Sequence, residues 1–270
     1  MRYYFFINLI NMLKSFKGTS SGIRHKIISN RKILDNNFLV RALMFGAKQK
    51  AGRNNQGTIT CFHRGGGVKK KHRIIDFYRR SISSSSVVIG LEYDPLRTSF
   101  LALILSNTGV LSYILAAEGL KKYQTLTDNV SLGSSFLLSS VLVGQKIFNL
   151  ESSVGKGGKI ARSAGTFCKV LQKSSNCVLL KYPSGDIKVS LFSYFCTLGV
   201  VSNTSFKKTI LGSAGTARRR GIRPTVRGAA MNPVDHPHGG RTVGGRPSVS
   251  PWGFLTKYPP SRKKKSYKMF

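Results

Sequence analysis

The sequence predicts a mainly β protein: two small barrels in tandem, with long, basic, irregular extensions at both ends. Three observations carry this reading. Short runs rich in Ile, Val, Leu, Phe and Tyr recur about every ten residues between 57 and 205, each closed by Gly, Ser, Asn or Pro. The runs fall into two sets, separated by a turn-rich connector, "EGLKKYQTLTDNVSLGSS" (118–135). Charge is segregated as well. Residues 1–80 hold 18 basic and 2 acidic side chains, residues 81–205 hold 11 and 6, and residues 206–270 hold 15 and 1. A nearly balanced middle between strongly basic ends is the layout of folded modules with nucleic-acid-binding extensions.

In chain order, residues 1–56 form the first basic arm. Its apolar stretch, Tyr3 to Leu13, is too short to span a bilayer, which takes roughly 20 residues. No small-x-small cleavage site follows, and the Arg/Ser-rich amphipathic character of an import presequence is lacking. The stretch is expected to stay in the mature chain as an anchoring or packing segment, and no membrane span is expected anywhere. Residues 57–140 make the first barrel, from "TITCFHR", "HRIIDFYR", "SVVIGLEY", "FLALIL" and "VLSYILA". The apolar run Phe100 to Ala117 is broken by Ser106-Asn107-Thr108-Gly109, which makes it a hairpin. Residues 141–205 make the second barrel, from "GQKIFNLE", "AGTFCKVLQ", "CVLLKY" and "DIKVSLF". Residues 206–270 are too rich in Gly, Pro, Arg and Lys to bury a core of their own, so a partner must order them or they stay mobile.

Composition narrows the function. The chain has 44 Lys+Arg against 9 Asp+Glu, a formal net charge of +35. Self-repulsion at that charge opposes a compact state unless a polyanion neutralises it, and nucleic acid is the first candidate, ahead of an anionic membrane surface. Cys61, Cys168, Cys177 and Cys196 form no C-x-x-C pair, so zinc spacing is absent. They are expected to be reduced thiols, mostly packed as small apolar groups.

Three motifs carry the chemistry. "RGGGVKKKHR" surrounds Gly65, Gly66 and Gly67 with Arg64, Lys69, Lys70, Lys71 and Arg73, a basic loop suited to a sugar-phosphate backbone. "GKGGK" (155–159) lacks the G-x-x-x-x-G-K-[ST] pattern of a nucleotide-binding loop. The loop reads instead as a phosphate contact, with glycines that let backbone N–H groups approach the anion and with charge from Lys156, Lys159 and the following Arg162. "DHPHGG" (235–240) places Asp235, His236 and His238 together, but Pro237 separates the histidines and no Cys or Glu completes a metal site. A serine-nucleophile elbow is absent. Arg223, Arg227, His236 and His238 are expected to contact RNA, the arginines as bidentate phosphate ligands and the histidines by stacking or donation. Arg53, Asn54, Asn55, Arg218, Arg219, Arg220, Asn232, Arg241, Arg246 and Trp252 complete the expected RNA-contacting set. No catalytic residue, metal or cofactor is expected.

Several stretches resemble the universal large-subunit ribosomal protein two family in its bacterial and organellar form. They are "AGRNNQGTITCFHRGGGVKKKHRIIDFYR" (51–79), "LEYDPLRTSFLALIL" (91–105), "YILAAEGLK" (113–121), "GKGGKIARSAGTFCKVL" (155–171), "YPSGDIKVS" (182–190), "RPTVRGAAMNPVDHPHGG" (223–240) and "SPWG" (250–253). The resemblance implies an OB-like barrel followed by an SH3-like barrel, with tails embedded in ribosomal RNA. It implies a structural constituent of the large subunit that neighbours other ribosomal proteins and contacts the small subunit. It further implies a position near the peptidyl transferase centre and links a histidine of the HPH loop, His236 or His238, to activity. The loop here reads "HPHGGR", shorter than the family's usual H-P-H-G-G-G-E-G-R. The expected compartment is the mitochondrial matrix, with plastid or bacterial cytoplasm as alternatives. The competing function is a metal-assisted RNA-processing or modifying enzyme built on Asp235, His236 and His238; a free nucleic-acid chaperone is a third reading.

Overall fold

The structure is a computed structural model, and the described residues are 12–35, 40–79, 85–127, 131–240 and 247–257. Most of the apolar stretch Tyr3 to Leu13, and both Arg241 and Arg246, lie outside them. The chain divides into two compact units. One combines Met1–Lys48 with Val68–Thr216, the other Gln49–Gly67 with Ala217–Phe270.

The first unit is built from curled antiparallel sheets. A four-stranded sheet runs in the order Leu111–Leu115, Phe100–Ser106, Ser86–Tyr93, Thr125–Leu126. Its β-branched and leucine-rich runs suit a pleated, half-buried surface, and the "SNTG" turn joins two of them as a tight hairpin. A register shift between Val88 and Gly90 bends the long strand, as a bulge does where a sheet curls. A separate pair, Met44–Ala47 with Lys70–Arg73, leads into a parallel bridge between Ile75 and Tyr113. The second sheet has six strands in the order Ile187–Leu191, Cys177–Lys181, Cys168–Lys173, Lys146–Phe148, Phe195–Leu198, Ser135–Leu137. The fold class is therefore mainly β, as the sequence predicts, and the two sheets are consistent with OB-like and SH3-like barrels.

One apolar core runs through both sheets, from Val88, Leu101, Leu103 and Tyr113 to Ile147, Phe148, Val178 and Leu180. Three polar links stitch them: Ala117 bridges Val201, the Phe100 N–H donates to Ser202 Oγ at 3.0 Å, and Asn203 Nδ2 donates to Thr98 O at 2.7 Å. Cys168 and Cys196 are buried free thiols, and burial pushes the Cys168 thiol up to about 12. Both pack as small apolar groups.

The second unit is organised otherwise. Every buried apolar side chain among the described residues belongs to the first unit. Order in the second comes from backbone hydrogen bonds and close glycine contacts. A turn at residues 52–60 is pinned by Asn54, whose Oδ1 accepts from the Gln56 and Thr58 N–H groups and from the Thr58 hydroxyl. Arg64 bridges Ile222, the Gly65 N–H donates to Gly221 O, and the Arg223 N–H donates to His63 O. A Cβ on Gly67 would lie 2.7 Å from the Gly221 nitrogen, so this crossing of two chain segments excludes a side chain. The segment after residue 206 is more regular than its composition suggests, with a six-residue helix at Ala214–Arg219 and a 3-10 turn at Gly228–Ala230. Among the described residues no helix is long and apolar enough to cross a membrane.

Candidate nucleic-acid interface

Most acidic side chains among the described residues are buried or half-buried. Glu92 is only 2 % exposed and occupies an inward position of its strand, alongside Ser86, Val88 and Gly90. An unpartnered carboxylate there would be very costly. Arg73 Nε meets Glu92 Oε2 at 3.2 Å, and the Tyr113 hydroxyl donates to Oε1 at 2.9 Å. Burial still pushes the Glu92 carboxyl upward against these two stabilising hydrogen bonds, and burial with the Glu92 contact lifts Tyr113 to about 12. Asp94, buried, takes the Arg97 Nε at 2.6 Å and the Leu96 N–H at 2.9 Å. Glu151, also buried, accepts the Gly157 and Phe195 N–H groups at 3.1 Å each. Asp35 pairs with Lys122, and Asp76 accepts the Tyr78 and Arg79 N–H groups. Among the described residues, Asp186 and Asp235 are the acidic side chains left exposed.

The expected RNA-contacting cations of the first unit divide accordingly. Lys69, Lys71, Lys156, Lys159 and Arg162 are exposed and Lys70 is half-buried. Arg73 is not at the surface: Lys71, on the same face of the strand, is exposed, but Arg73 at the strand's end is buried against Glu92, whose charge it neutralises. The glycines of "GKGGK" also differ from expectation. The Gly157 N–H is taken by Glu151 and the Gly158 N–H by Phe77 O, so the loop offers lysines, not these two amides, to an anion. Arg162 lies over the Phe77 ring, 4.8 Å from its centroid.

In the second unit Arg53, Asn55, Arg64, Arg218, Arg219, Arg220, Arg223, Arg227 and Asn232 are exposed. Asn54 is occupied by its own turn. Gly65 and Gly67 pack on Gly221, and Gly66 is exposed. The HPH loop is closed by the His236 N–H to Asn232 O, the Gly239 N–H to His236 O and the Gly240 N–H to Met231 O. His236 is 8 % exposed; its Nδ1 accepts the His238 N–H at 3.0 Å, and its ring lies where a Cβ of Gly228 would be. The two imidazole centroids are 4.7 Å apart. His238 Nε2 sits 3.0 Å from Pro247 O and 3.2 Å from the Val249 nitrogen. One tautomer donates to Pro247 and the other accepts from Val249, so in either the ring ties the loop to residues 247–249.

Those residues open a small hairpin. Val249 bridges Leu255, the Thr256 N–H donates to Ser248 O, and the Gly253 N–H donates to Ser250 O. Pro251 and Trp252 form its tip, and Gly253 follows at φ 84°. Trp252 is 68 % exposed and lies 6.2 Å, centroid to centroid, from Phe62, itself 55 % exposed. Trp252 is marked in the sequence, whereas Phe62 reads only as one apolar residue of "TITCFHR", because its ring partner is 190 positions away.

Asp235, His236 and His238 do not converge on a point. Among the described residues no three His, Cys, Asp or Glu side chains cluster so as to hold a metal ion. Fold and surface together define a β-rich protein that keeps most of its described carboxylates from the surface and offers cations and exposed aromatic rings there, the class that binds polyanions. Two family models match the chain: "Ribosomal Proteins L2, RNA binding N-terminal domain" over residues 40–127, and "Ribosomal Proteins L2, C-terminal domain" over residues 131–253. Among similar proteins, the large ribosomal subunit protein uL2m of Reclinomonas americana is 44 % identical over 95 % of each chain. The uL2 of Wolbachia pipientis is 44 % identical over 93 % of this chain and 94 % of its own, and that of Rickettsia prowazekii is 42 % identical over 96 % and 97 %. The chain belongs to the ribosomal protein L2 family, a family of structural proteins and not of enzymes.

Proposed function

We propose that the chain is a structural constituent of a large ribosomal subunit that binds large-subunit ribosomal RNA and supports its assembly. One observation carries this: most described carboxylates are buried or half-buried and paired, while most of the expected cations are exposed, leaving a surface that a polyanion can neutralise. The β modules, drawn at residues 57–140 and 141–205, act as the folded platform, except that residues 57–67 carry no strand and pack with the C-terminal segment; residues 1–56 and 206–270 act as arms that lie along RNA. Lys69, Lys71, Lys156, Lys159, Arg162, Arg218, Arg219, Arg220, Arg223 and Arg227 serve as phosphate contacts. The names of its relatives favour the ribosome over a free chaperone, and the mitochondrial relative favours a mitochondrial ribosome. Proximity to the peptidyl transferase centre and contact with the small subunit belong to the same reading. The test is sedimentation: the protein is expected to co-migrate with large subunits through a high-salt gradient. Recovery at the top of that gradient would reject the assignment.

A further inference from the structure

We propose that Phe62 and Trp252 form a stacking platform for unpaired bases of the bound RNA, which adds base recognition to the phosphate contacts and rests on the RNA-binding reading above. Two large rings 6.2 Å apart, each more than half exposed, are an expensive surface for a protein to present to water. The chain does not leave them out by default. Trp252 stands at the tip of a hairpin set by Pro251, by the Ser250–Gly253 turn and by the Val249–Leu255 bridge. The base of that hairpin is fixed by His238 through Pro247 and Val249. Phe62 is held from the other side by its neighbour His63, whose carbonyl accepts the Arg223 N–H. The rings are thus displayed by backbone and imidazole contacts.

Charge selects the occupant. Asp235 is the one acidic residue in the sequence of this unit, residues 49–67 and 217–270. Arg64 follows Phe62 by two positions and the Arg223 backbone N–H donates to His63 O, so two exposed arginines branch from the chain next to Phe62. Aromatic faces interleaved with cations fit a single strand: bases lie on the rings while their phosphates meet the arginines. A paired helix offers its phosphates but keeps its base faces stacked inside, and cannot use the platform.

The chain has one tryptophan, so its emission reports on this site alone. Full-length protein is titrated at about 0.3 M salt, where phosphate attraction is weakened, with an oligouridylate of roughly ten nucleotides and with an RNA duplex of equal charge. The single strand is expected to quench Trp252 and the duplex to leave it unchanged. Binding of fluorescently labelled single strand, followed by anisotropy, is expected to weaken about fivefold or more in Phe62→Leu and in Trp252→Leu, and to recover much of that in Trp252→Phe. Leucine keeps apolar bulk at both positions, and an unchanged melting temperature checks that each variant folds. Equal quenching by strand and duplex, or unaltered affinity in both leucine variants, would overturn the platform while leaving RNA binding intact. Absence of any RNA binding would overturn both readings. A blue shift of Trp252 with other ribosomal proteins but not with RNA would reassign the rings to protein docking and so reject the proposal.

Discussion

The two units of this chain reach order by opposite means. In the first, Leu101, Tyr113, Phe148 and their neighbours are fully buried, and the carboxylates buried among them, Glu92, Asp94 and Glu151, are hydrogen-bonded in place. In the second, order rests on carbonyls, amides, glycine crossings and two imidazoles, with no buried apolar side chain among the described residues. An arginine therefore means different things in each. Arg73 answers a carboxylate inside its barrel, whereas Arg223 offers its guanidinium outward in a unit whose sequence holds a single acid. The same residue type is a structural part in one region and an open contact in the other.

The largest effect should follow from confusing the two. Arg73→Leu leaves Glu92 as an uncompensated buried charge and is expected to cost about 3–5 kcal/mol in denaturant unfolding. Adding Glu92→Leu should recover most of that loss, because a buried pair replaced by apolar groups is often neutral. Arg223→Leu should cost no more than about 0.5 kcal/mol. Equal losses at the two positions would erase the distinction between the units.

A smaller and local effect is expected at Gly239. A Cβ there would run into the Asn232 carbonyl, which is backbone and cannot swing away. Gly239→Ala should disturb the HPH loop by about 1–3 kcal/mol, weaken RNA binding and raise the mobility of Trp252 in fluorescence anisotropy. Melting of the first unit should stay where it was. His238→Ala should give a milder version, about 1 kcal/mol, because it removes one hydrogen-bonded tie to residues 247–249. Loss of the first unit's melting transition in either variant would mean that the HPH loop is not the local device described above.

Strands were legible where composition dictates them: "SVVIGLEY" and "FLALIL" could hardly be anything else, and the interrupted run around Asn107 gave the hairpin. The site was legible only as charge. "RGGGVKKKHR" reads as one solvated basic run, and nothing in it marks Arg73 as inward; that takes the strand register and a glutamate nineteen positions on. The GKGGK amides looked open to an anion until Glu151 and Phe77 claimed two of them. Phe62 was invisible because its significance lies in a contact with Trp252, and no local pattern encodes a contact across 190 residues. Periodicity reports burial of a face; it does not report which distant segment completes a surface.

The smallest effect is also the sharpest discriminator between inward and outward arginines. Each phosphate contact releases condensed counterions, so the slope of log affinity against log salt changes by about 0.9 per contact on duplex and about 0.7 on single strands. With roughly six to ten contacts the wild-type protein should lose about 10³–10⁵ in affinity between about 50 and 200 mM salt. Arg223→Ala should lower the slope by about one contact and leave folding unchanged. Arg223→Lys keeps the charge and so should keep the slope, but it gives up the planar bidentate fork and should bind several-fold more weakly at every salt concentration. Arg73→Leu, measured below its lowered melting temperature, should leave the slope alone, because a guanidinium that faces Glu92 displaces no counterion from RNA. Slope and absolute affinity together therefore separate a charge contact, a bidentate contact and an inward arginine. A slope change in Arg73→Leu would place that side chain on RNA in the complex. An unchanged slope in Arg223→Ala would remove Arg223 from the phosphate contacts.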